Sequence, residues 1–452
     1  MGWDETFLDR VESKSLVIGV VGLGYVGLPT ALSFYEAGFK IWGIDISSNV
    51  IDDLNNRINP TGDPSLDGVI PNSDNAMWNI TSSFSDSIPD CDVVLVTVPT
   101  PVDDEKSMDS SHVHDSGNSI FKNIKSDSKT IVILESTVYP GSTNEIWQPL
   151  IRKHHLEINQ DLIIAYCPER HNPGDKENNI TSVARVIGCA NKQIGVDLVS
   201  LYSELTSGLV RFVGTVEVAE SAKLVENIQR DINIALVNEL ATIFPHMGVD
   251  IEDVLDAAST KWNFHRYKPG LGVGGHCIPV DPYFIIDKAK FKGISANLVS
   301  SARNINEMMP NIVSRDILKI LNHHYPNKNN FKVLILGWSY KADIGDGRES
   351  PSMHLYHNLE ESNISVSCYD PYFSKNRISN KYNFTDDIHD LSEISMIILA
   401  TAHSKFLNLE WKNYLKIMDK PLIYDGRRCL NIPKMESNGW LVNAIGKPVN
   451  LP

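Results

Sequence analysis

A chain of 452 residues is too long for one ordinary hydrophobic core, so two or three domains are expected. With 42% hydrophobic and 21% charged residues it reads as a soluble globular protein. A net charge of −15 argues against nucleic acid or an anionic membrane surface as the main partner, and any anionic ligand must be held by locally placed Lys and Arg.

Near the start, "SLVIGVVGLGYVGLPTALSFYEAGFKIWGID" opens as a β-rich apolar run and turns through Gly22-Leu23-Gly24-Tyr25-Val26-Gly27. It becomes helical at "TALSFYEAG" and ends in a second strand. The apolar part lacks a basic leader and carries glycines and a proline, so it is read as strand, turn and helix rather than a signal segment. No transmembrane span is expected elsewhere. A GxGxxG at a strand-to-helix junction, with Asp45 closing the next strand, is the fingerprint of a dinucleotide site. Its glycines let the backbone approach a pyrophosphate seated on the helix N-terminus. Asp45 would accept hydrogen bonds from the adenosine ribose and repel a 2′-phosphate, which favours NAD over NADP. Gly22, Gly24, Tyr25, Val26, Gly27 and Asp45 are therefore candidate cofactor-binding residues.

Further strands are expected at "CDVVLVTVP", "KTIVILEST" and "DLIIAYCPE", ending in the loops "TPV", "TVYPGST" and "RHNPGD". Ligands in open parallel sheets bind at the carboxyl ends of strands, so these loops should border the cofactor crevice. That adds Pro99, Thr100 and Thr137. The stretch "VEVAESAKLVENIQRDINIALVNELATIFPHMGVDIEDVLDAAS" has helical periodicity with few breakers before Pro245, which suits a connecting or dimer-forming helix. Lys223 and Asn227 share one face of it, among apolar neighbours.

"GVGGHCIPVDPY" places Cys277 between a glycine loop and two prolines. Its "DP" reads as an N-cap, Asp281, and a first-turn proline opening a helix. A thiol just upstream of a helix N-terminus is favoured as thiolate, so Cys277 is a candidate nucleophile. The other cysteines (Cys91, Cys167, Cys189, Cys368, Cys429) are scattered without paired spacing. Reduced thiols in a cytoplasmic setting are expected, and no metal site. After a polar linker, "FKVLILGWSYKAD" starts a second dinucleotide-type fold, with Gly337 followed by Trp338-Ser339-Tyr340-Lys341 in place of GxGxxG. Strands follow at "ISVSCYDP", "SMIILAT" and "PLIYDGRR". Lys341, Arg348, Arg427 and Arg428 near strand ends could meet a diphosphate, although each alone is more often a solvated cation.

"GVVGLGYVGLP", "VPTPV", "ESTVYPGST", "CPERHNPGD", "AESAKLVENIQRDINIALVNE", "GVGGHCIPVDPY", "GWSYKADIGDGRESP" and "YDP" occur in the order seen in UDP-glucose/GDP-mannose dehydrogenases, which the chain resembles from about residue 16 to about residue 430. "GGHCIPVDPY" and "CPERHNPGD" resemble the branch acting on UDP-N-acetylhexosamines, and "TKWNFHRYKPGLGVGGHC" is most similar to enzymes that oxidise UDP-N-acetylglucosamine or UDP-N-acetylgalactosamine. The resemblance implies an α/β chain of two Rossmann-like doubly wound domains joined by a central helical domain, divided as 1–212, 213–325 and 326–452. It also implies NAD as cofactor and a homodimer or higher homo-oligomer.

The implied activity is a four-electron oxidation of a sugar C6 hydroxymethyl to a carboxylate, for polysaccharide or glycan synthesis. Cys277 would form first a thiohemiacetal and then a thioester. By the same resemblance Lys223 stabilises the developing oxyanion with Asn227 beside it, Asp281 and Thr137 position water, and Glu169 serves thioester hydrolysis. His276 reads as a packing or capping residue, with a direct chemical part as the alternative. On the substrate side the resemblance implies Lys341 and Arg428, with Glu169, Arg170, Lys223, Asn227, Arg266, Tyr267 and Gly274 completing the set. Cys167 stands where relatives mostly have serine, and "RRCLN" replaces a smaller or asparagine-rich ending. The rival readings are UDP-N-acetylmannosamine or UDP-glucose as substrate, a two-electron hydroxyacid dehydrogenase, and a nucleotide-sensing subunit without turnover.

Overall fold

The computed structural model describes residues 6–72, 74–103, 105–126, 129–170, 179–373 and 381–449. All but the first residue of the expected loop "RHNPGD" lies outside them. The chain divides into two compact units, Met1–Glu226 with Tyr283–Lys288, and Asn227–Pro282 with Ala289–Pro452.

The first unit is built on eight strands: β1 (Val17–Val21), β2 (Lys40–Ile44), β3 (Trp78–Thr81), β4 (Val93–Val96), β5 (Thr130–Leu134), β6 (Leu162–Tyr166), β7 (Arg185–Cys189) and β8 (Val210–Gly214). Their order is β3-β2-β1-β4-β5-β6-β7-β8, parallel except for the β6–β7 pair. Strand periodicity explains the two-sided core. Val93, Leu95, Ile131 and Ile133 join one cluster, whereas Val94, Val96, Val132 and Leu134 join the other. Four-residue β3 and the pair β7–β8 add to the strands expected from the sequence. The strand order reverses direction between β1 and β4, so the turn after β1 and the loop after β4 open at the same switch point.

The second sheet runs β10 (Ser365–Tyr369), β9 (Lys332–Leu336), β11 (Met396–Leu399), β12 (Leu422–Asp425) and β13 (Leu441–Ala444), all parallel. It buries Val333, Ile335, Met396 and Ile398 on one face and Leu334, Leu336, Ile397 and Leu399 on the other. The long helix covers Val216–Ile243 and passes into a short turn at Phe244–Met247, where Pro245 ends the α-helical ladder and Gly248 takes a φ of 73°. Among the described residues, no helix is long and apolar enough to cross a membrane.

Candidate active site

The three glycines of the first turn do three different jobs. Gly22 sits at φ 92°, a region where a Cβ is strained. A Cβ on Gly27 would lie 1.8 Å from the Gly22 carbonyl oxygen and 2.4 Å from Thr97 Oγ1, so its absence lets the helix Gly27–Glu36 pack onto the strand end. Gly24 is different: among the described residues, nothing beyond its chain neighbours lies within 4 Å of where its Cβ would be. That open space at a helix N-terminus is what a pyrophosphate requires.

Asp45 Oδ2 accepts the Leu23 N–H at 2.8 Å and Oδ1 accepts the Ser47 N–H at 2.9 Å, which fixes the carboxylate beside the loop. Tyr25 is exposed, and Val26 is the N-cap residue. Across the switch point the Thr100 hydroxyl donates to the Thr137 carbonyl at 2.7 Å, joining the loops after β4 and β5, with Pro99 exposed between. These residues fit a dinucleotide. Gly24→Ala should fold like the parent, within about 0.5 kcal/mol, yet bind NAD about tenfold more weakly. Gly27→Ala should instead cost about 1–3 kcal/mol through overpacking. Thermal unfolding and fluorescence titration with NAD separate the two.

At the end of β6 the chain turns through Cys167, Pro168, Glu169 and Arg170. Glu169 is buried. Its Oε1 accepts the Arg170 N–H at 2.6 Å, its Oε2 accepts Arg185 Nη2 at 2.5 Å, and its carbonyl accepts Lys223 Nζ at 2.7 Å. Arg170 is committed to Glu226 at 2.5 and 3.0 Å and to the Ala184 carbonyl at 3.1 Å. Glu220 on the long helix caps the helix Ser142–Lys153 by accepting the N–H of Gly141 and Thr143 at 2.6 and 3.0 Å, and so pins the loop that follows Thr137.

In the second unit, the helix holding Asp281 begins at that residue, so Asp281 is its first residue rather than the N-cap expected from "DP". Its Oδ2 accepts Asn227 Nδ2 at 2.5 Å, which brings those two predicted residues together. The Cys277 carbonyl accepts the N–H of Val280 and Asp281 at 3.0 and 2.8 Å, so the thiol residue closes the turn feeding the helix. Cys277 is the one exposed cysteine of six. The thiols of Cys167 and Cys189 are pushed up to about 12 and about 11, chiefly by burial, and those of Cys91, Cys368 and Cys429 rise further for the same reason.

What closely approaches the glycine loop is protein. A Cβ on Gly274 would meet Tyr340 Cβ at 2.6 Å and the Glu349 carbonyl at 2.7 Å, and Gly275, at φ 87°, lies 2.9 Å from the Tyr340 ring by the same measure. The Gly275 N–H donates to the Arg348 carbonyl at 3.1 Å. A buried polar chain holds the other end of the loop. The Gly270 N–H donates to Asn238 Oδ1 at 2.9 Å, and Asn238 donates to Asn306 at 2.9 Å. Asn306 and Arg303 both donate to Asp231 Oδ1, at 2.8 and 2.6 Å. None of Asp231, Asn238, Arg303 or Asn306 was singled out from the sequence. The signal was an aspartate and an asparagine seven residues apart in a largely apolar helical run.

Most of the expected cations are engaged by carboxylates. Arg428, in the left-handed region at φ 51°, pairs with Asp250 at 2.6 Å, and Arg266 pairs with Glu252 at 2.5 Å and with Asp256. Arg348 pairs with Asp346 at 2.5 Å, whereas Arg427 donates to the Ala400 carbonyl at 2.6 Å. Tyr267 packs on the core, and Lys341 and His276 are half-buried and exposed, respectively. In the degenerate second turn, Asp370 Oδ2 receives the N–H groups of Trp338 and Ser339 at 2.7 and 2.9 Å, the Ser339 hydroxyl and His403 Nε2. Asp370, closing β10, therefore holds the turn after β9 as Asp45, closing β2, holds the turn after β1. Among the described residues, no group of three or more His, Cys, Asp or Glu side chains is arranged to hold a metal ion.

Models of the UDP-glucose/GDP-mannose dehydrogenase family match the chain in order: the NAD binding domain over residues 16–206, the central domain over 217–308 and the UDP binding domain over 334–432. The chain is 37% identical over 426 residues to a UDP-N-acetyl-D-glucosamine 6-dehydrogenase of Pseudomonas aeruginosa, covering 94% of this chain and 99% of that protein. It is 32% identical over 455 residues to a UDP-N-acetyl-D-mannosamine dehydrogenase of Methanococcus vannielii, covering 97% and 99%. Among solved structures, the UDP-D-ManNAc dehydrogenase of Pyrococcus horikoshii superposes with a TM-score of 0.85 at 29% identity, covering 96% and 99%. With a dinucleotide cradle in its first sheet and one exposed cysteine ahead of a helix, the chain belongs to the UDP-glucose/GDP-mannose dehydrogenase family of NAD-dependent oxidoreductases.

Proposed function

We propose that the chain oxidises the C6 hydroxymethyl of a UDP-N-acetylhexosamine to the uronic acid, with UDP-N-acetylglucosamine as the preferred substrate. The observation that carries this reading is Cys277, the one exposed cysteine of six, fixed at the turn into a helix. The division 1–212, 213–325 and 326–452 into NAD-binding, central and UDP-sugar-binding parts goes with it. So does self-association through the long helix, which exposes Val218, Val225 and Leu236.

NAD, which the turn through Gly22 to Gly27 and Asp45 would hold, would supply the hydride acceptor for both oxidations. Loss of the first hydride and of the hydroxyl proton leaves an aldehyde, which has no hydride to give until a nucleophile adds. Cys277 sulfur forms a bond to C6, and the resulting thiohemiacetal loses its C–H as the second hydride. Water then adds to the thioester and the C–S bond breaks, returning the thiol and releasing the carboxylate. Two NAD and one water are consumed per sugar. Lys223 and Asn227 stabilise the oxygen as it gains negative charge, and Asp281 with Thr137 orients the water. Glu169, clamped by Arg185, serves the hydrolysis of the thioester.

Incubating the pure protein with NAD and UDP-glucose, UDP-N-acetylglucosamine, UDP-N-acetylgalactosamine or UDP-N-acetylmannosamine tests this reading. Two NADH per sugar are expected, fastest with UDP-N-acetylglucosamine; one NADH per sugar would mean a two-electron dehydrogenase. The full-length likeness to UDP-N-acetyl-D-mannosamine dehydrogenases favours that epimer as the second reading, and the same panel decides it. Light scattering of the same preparation should give a dimer or larger.

A further inference from the structure

The turn carrying Glu169 is anchored from below by a charge that no solvent reaches. Arg185 on β7 is fully buried, and its guanidinium donates to Glu169 Oε2 at 2.5 Å. Burial works to discharge it, but the carboxylates of Glu169 and Glu135 outweigh burial and hold it protonated. The rest of its surroundings are built around that charge. Its guanidinium lies 5.5 Å from the centre of the Tyr202 ring, and the Tyr202 hydroxyl donates to Glu135 Oε1 at 2.6 Å. A buried ion pair seldom adds net stability over apolar side chains of the same volume, so stability alone does not account for this one. What it does is hold a geometry.

With Oε2 on Arg185 and Oε1 on its neighbour's N–H, the Glu169 carboxylate has no freedom to rotate, and the peptide attached to it is fixed as well. The carbonyl of that same residue accepts Lys223 Nζ at 2.7 Å. The next residue, Arg170, grips Glu226, three positions along the same helix from Lys223. One short turn therefore seizes the long helix at two points, and Arg185 is the fixed end of the arrangement.

We propose that Arg185 is a positioning residue for Lys223, acting through Glu169: the buried ion pair sets the carbonyl that aims the lysine ammonium at the oxygen gaining charge. This rests on the reading of Lys223 as the oxyanion-stabilising group. Outer partners of this kind typically change rates by about 10–100-fold when removed.

The test compares Arg185→Gln and Arg185→Lys with the parent enzyme, and includes Lys223→Met. The measurements are kcat per active site, KM for NAD and for the sugar nucleotide, and the isotope effect on kcat with substrate deuterated at C6. The expected result for Arg185→Gln is a kcat lower by about 10–100-fold with KM for NAD within about twofold. The isotope effect should rise because hydride transfer has become slower. Arg185→Lys, which keeps the charge but not the fork, should recover a large part of kcat. It also carries the test should Arg185→Gln not fold. An unchanged isotope effect, with kcat per active site unaltered, overturns the proposal while leaving the function intact. Wild-type turnover by Lys223→Met overturns the reading beneath it, and the inference with it.

Discussion

Cys277→Ser is expected to lose net oxidation to the acid by on the order of a thousandfold or more, with binding of NAD and of the UDP-sugar unchanged. The expectation follows from what a hydroxyl cannot do in two separate steps. Serine is a far weaker nucleophile toward an aldehyde at neutral pH than a thiolate, so the second C–H to be oxidised forms slowly. The ester it would then give is less activated toward water than a thioester. Neither defect touches the glycine turn of the first sheet or the second sheet, so nucleotide affinity should survive. No other cysteine is placed to substitute, because burial raises the remaining thiols well above their ordinary range, and four of the five are buried outright. Rapid quench followed by mass spectrometry reads the difference directly: the parent passes through a sugar bound to Cys277, and the variant accumulates none. Full production of two NADH per sugar by Cys277→Ser would remove the thioester scheme.

What could be read in the sequence was what is local along the chain. The strand, the turn through Gly22 to Gly27 and Asp45 are contiguous, and each glycine answers to a contact within that segment or to open space. The helix after Cys277 was legible for the same reason, and the structure moves its start by a single residue. Partners far apart in sequence were not legible. Arg428 reads as a free cation until Asp250, 178 residues away, is seen at 2.6 Å from it. With 56 carboxylates against 41 lysines and arginines, a cation near a strand end readily finds a carboxylate of the protein, which is the physical reason that Arg266 and Arg348 are paired within it. Strand β7 was missed because it begins with an arginine, a residue that argues for the surface unless its partner, Glu169, is known.

The largest effect on stability is expected from Arg303→Met. Arg303 and Asp231 are both buried and bonded at 2.6 Å, and removing one partner of such a pair costs about 3–5 kcal/mol because the other charge is left stranded. The pH dependence has a definite sign. Burial already raises the Asp231 pKa above its ordinary 3.8, with Arg303 and Asn306 pulling it back. Without Arg303 the rise is larger. In the pH window between the unfolded and folded values the native chain holds a proton that the unfolded chain has released, so stability falls as pH rises through that window. The deficit of Arg303→Met relative to the parent should therefore be greater at pH 7 than at pH 5, as read by urea unfolding. Adding Asp231→Asn to Arg303→Met removes the stranded charge and should restore much of the loss and flatten the pH difference. The consequence extends to the reacting thiol, since Asp231 orients Asn306, Asn306 orients Asn238, and Asn238 holds the Gly270 N–H at the head of the loop leading to Cys277. Iodoacetamide should accordingly alkylate Cys277 at a different rate in Arg303→Met than in the parent at a pH where both are folded. Equal alkylation rates and a pH-independent deficit would show that the buried chain neither holds the loop nor carries a strained carboxylate.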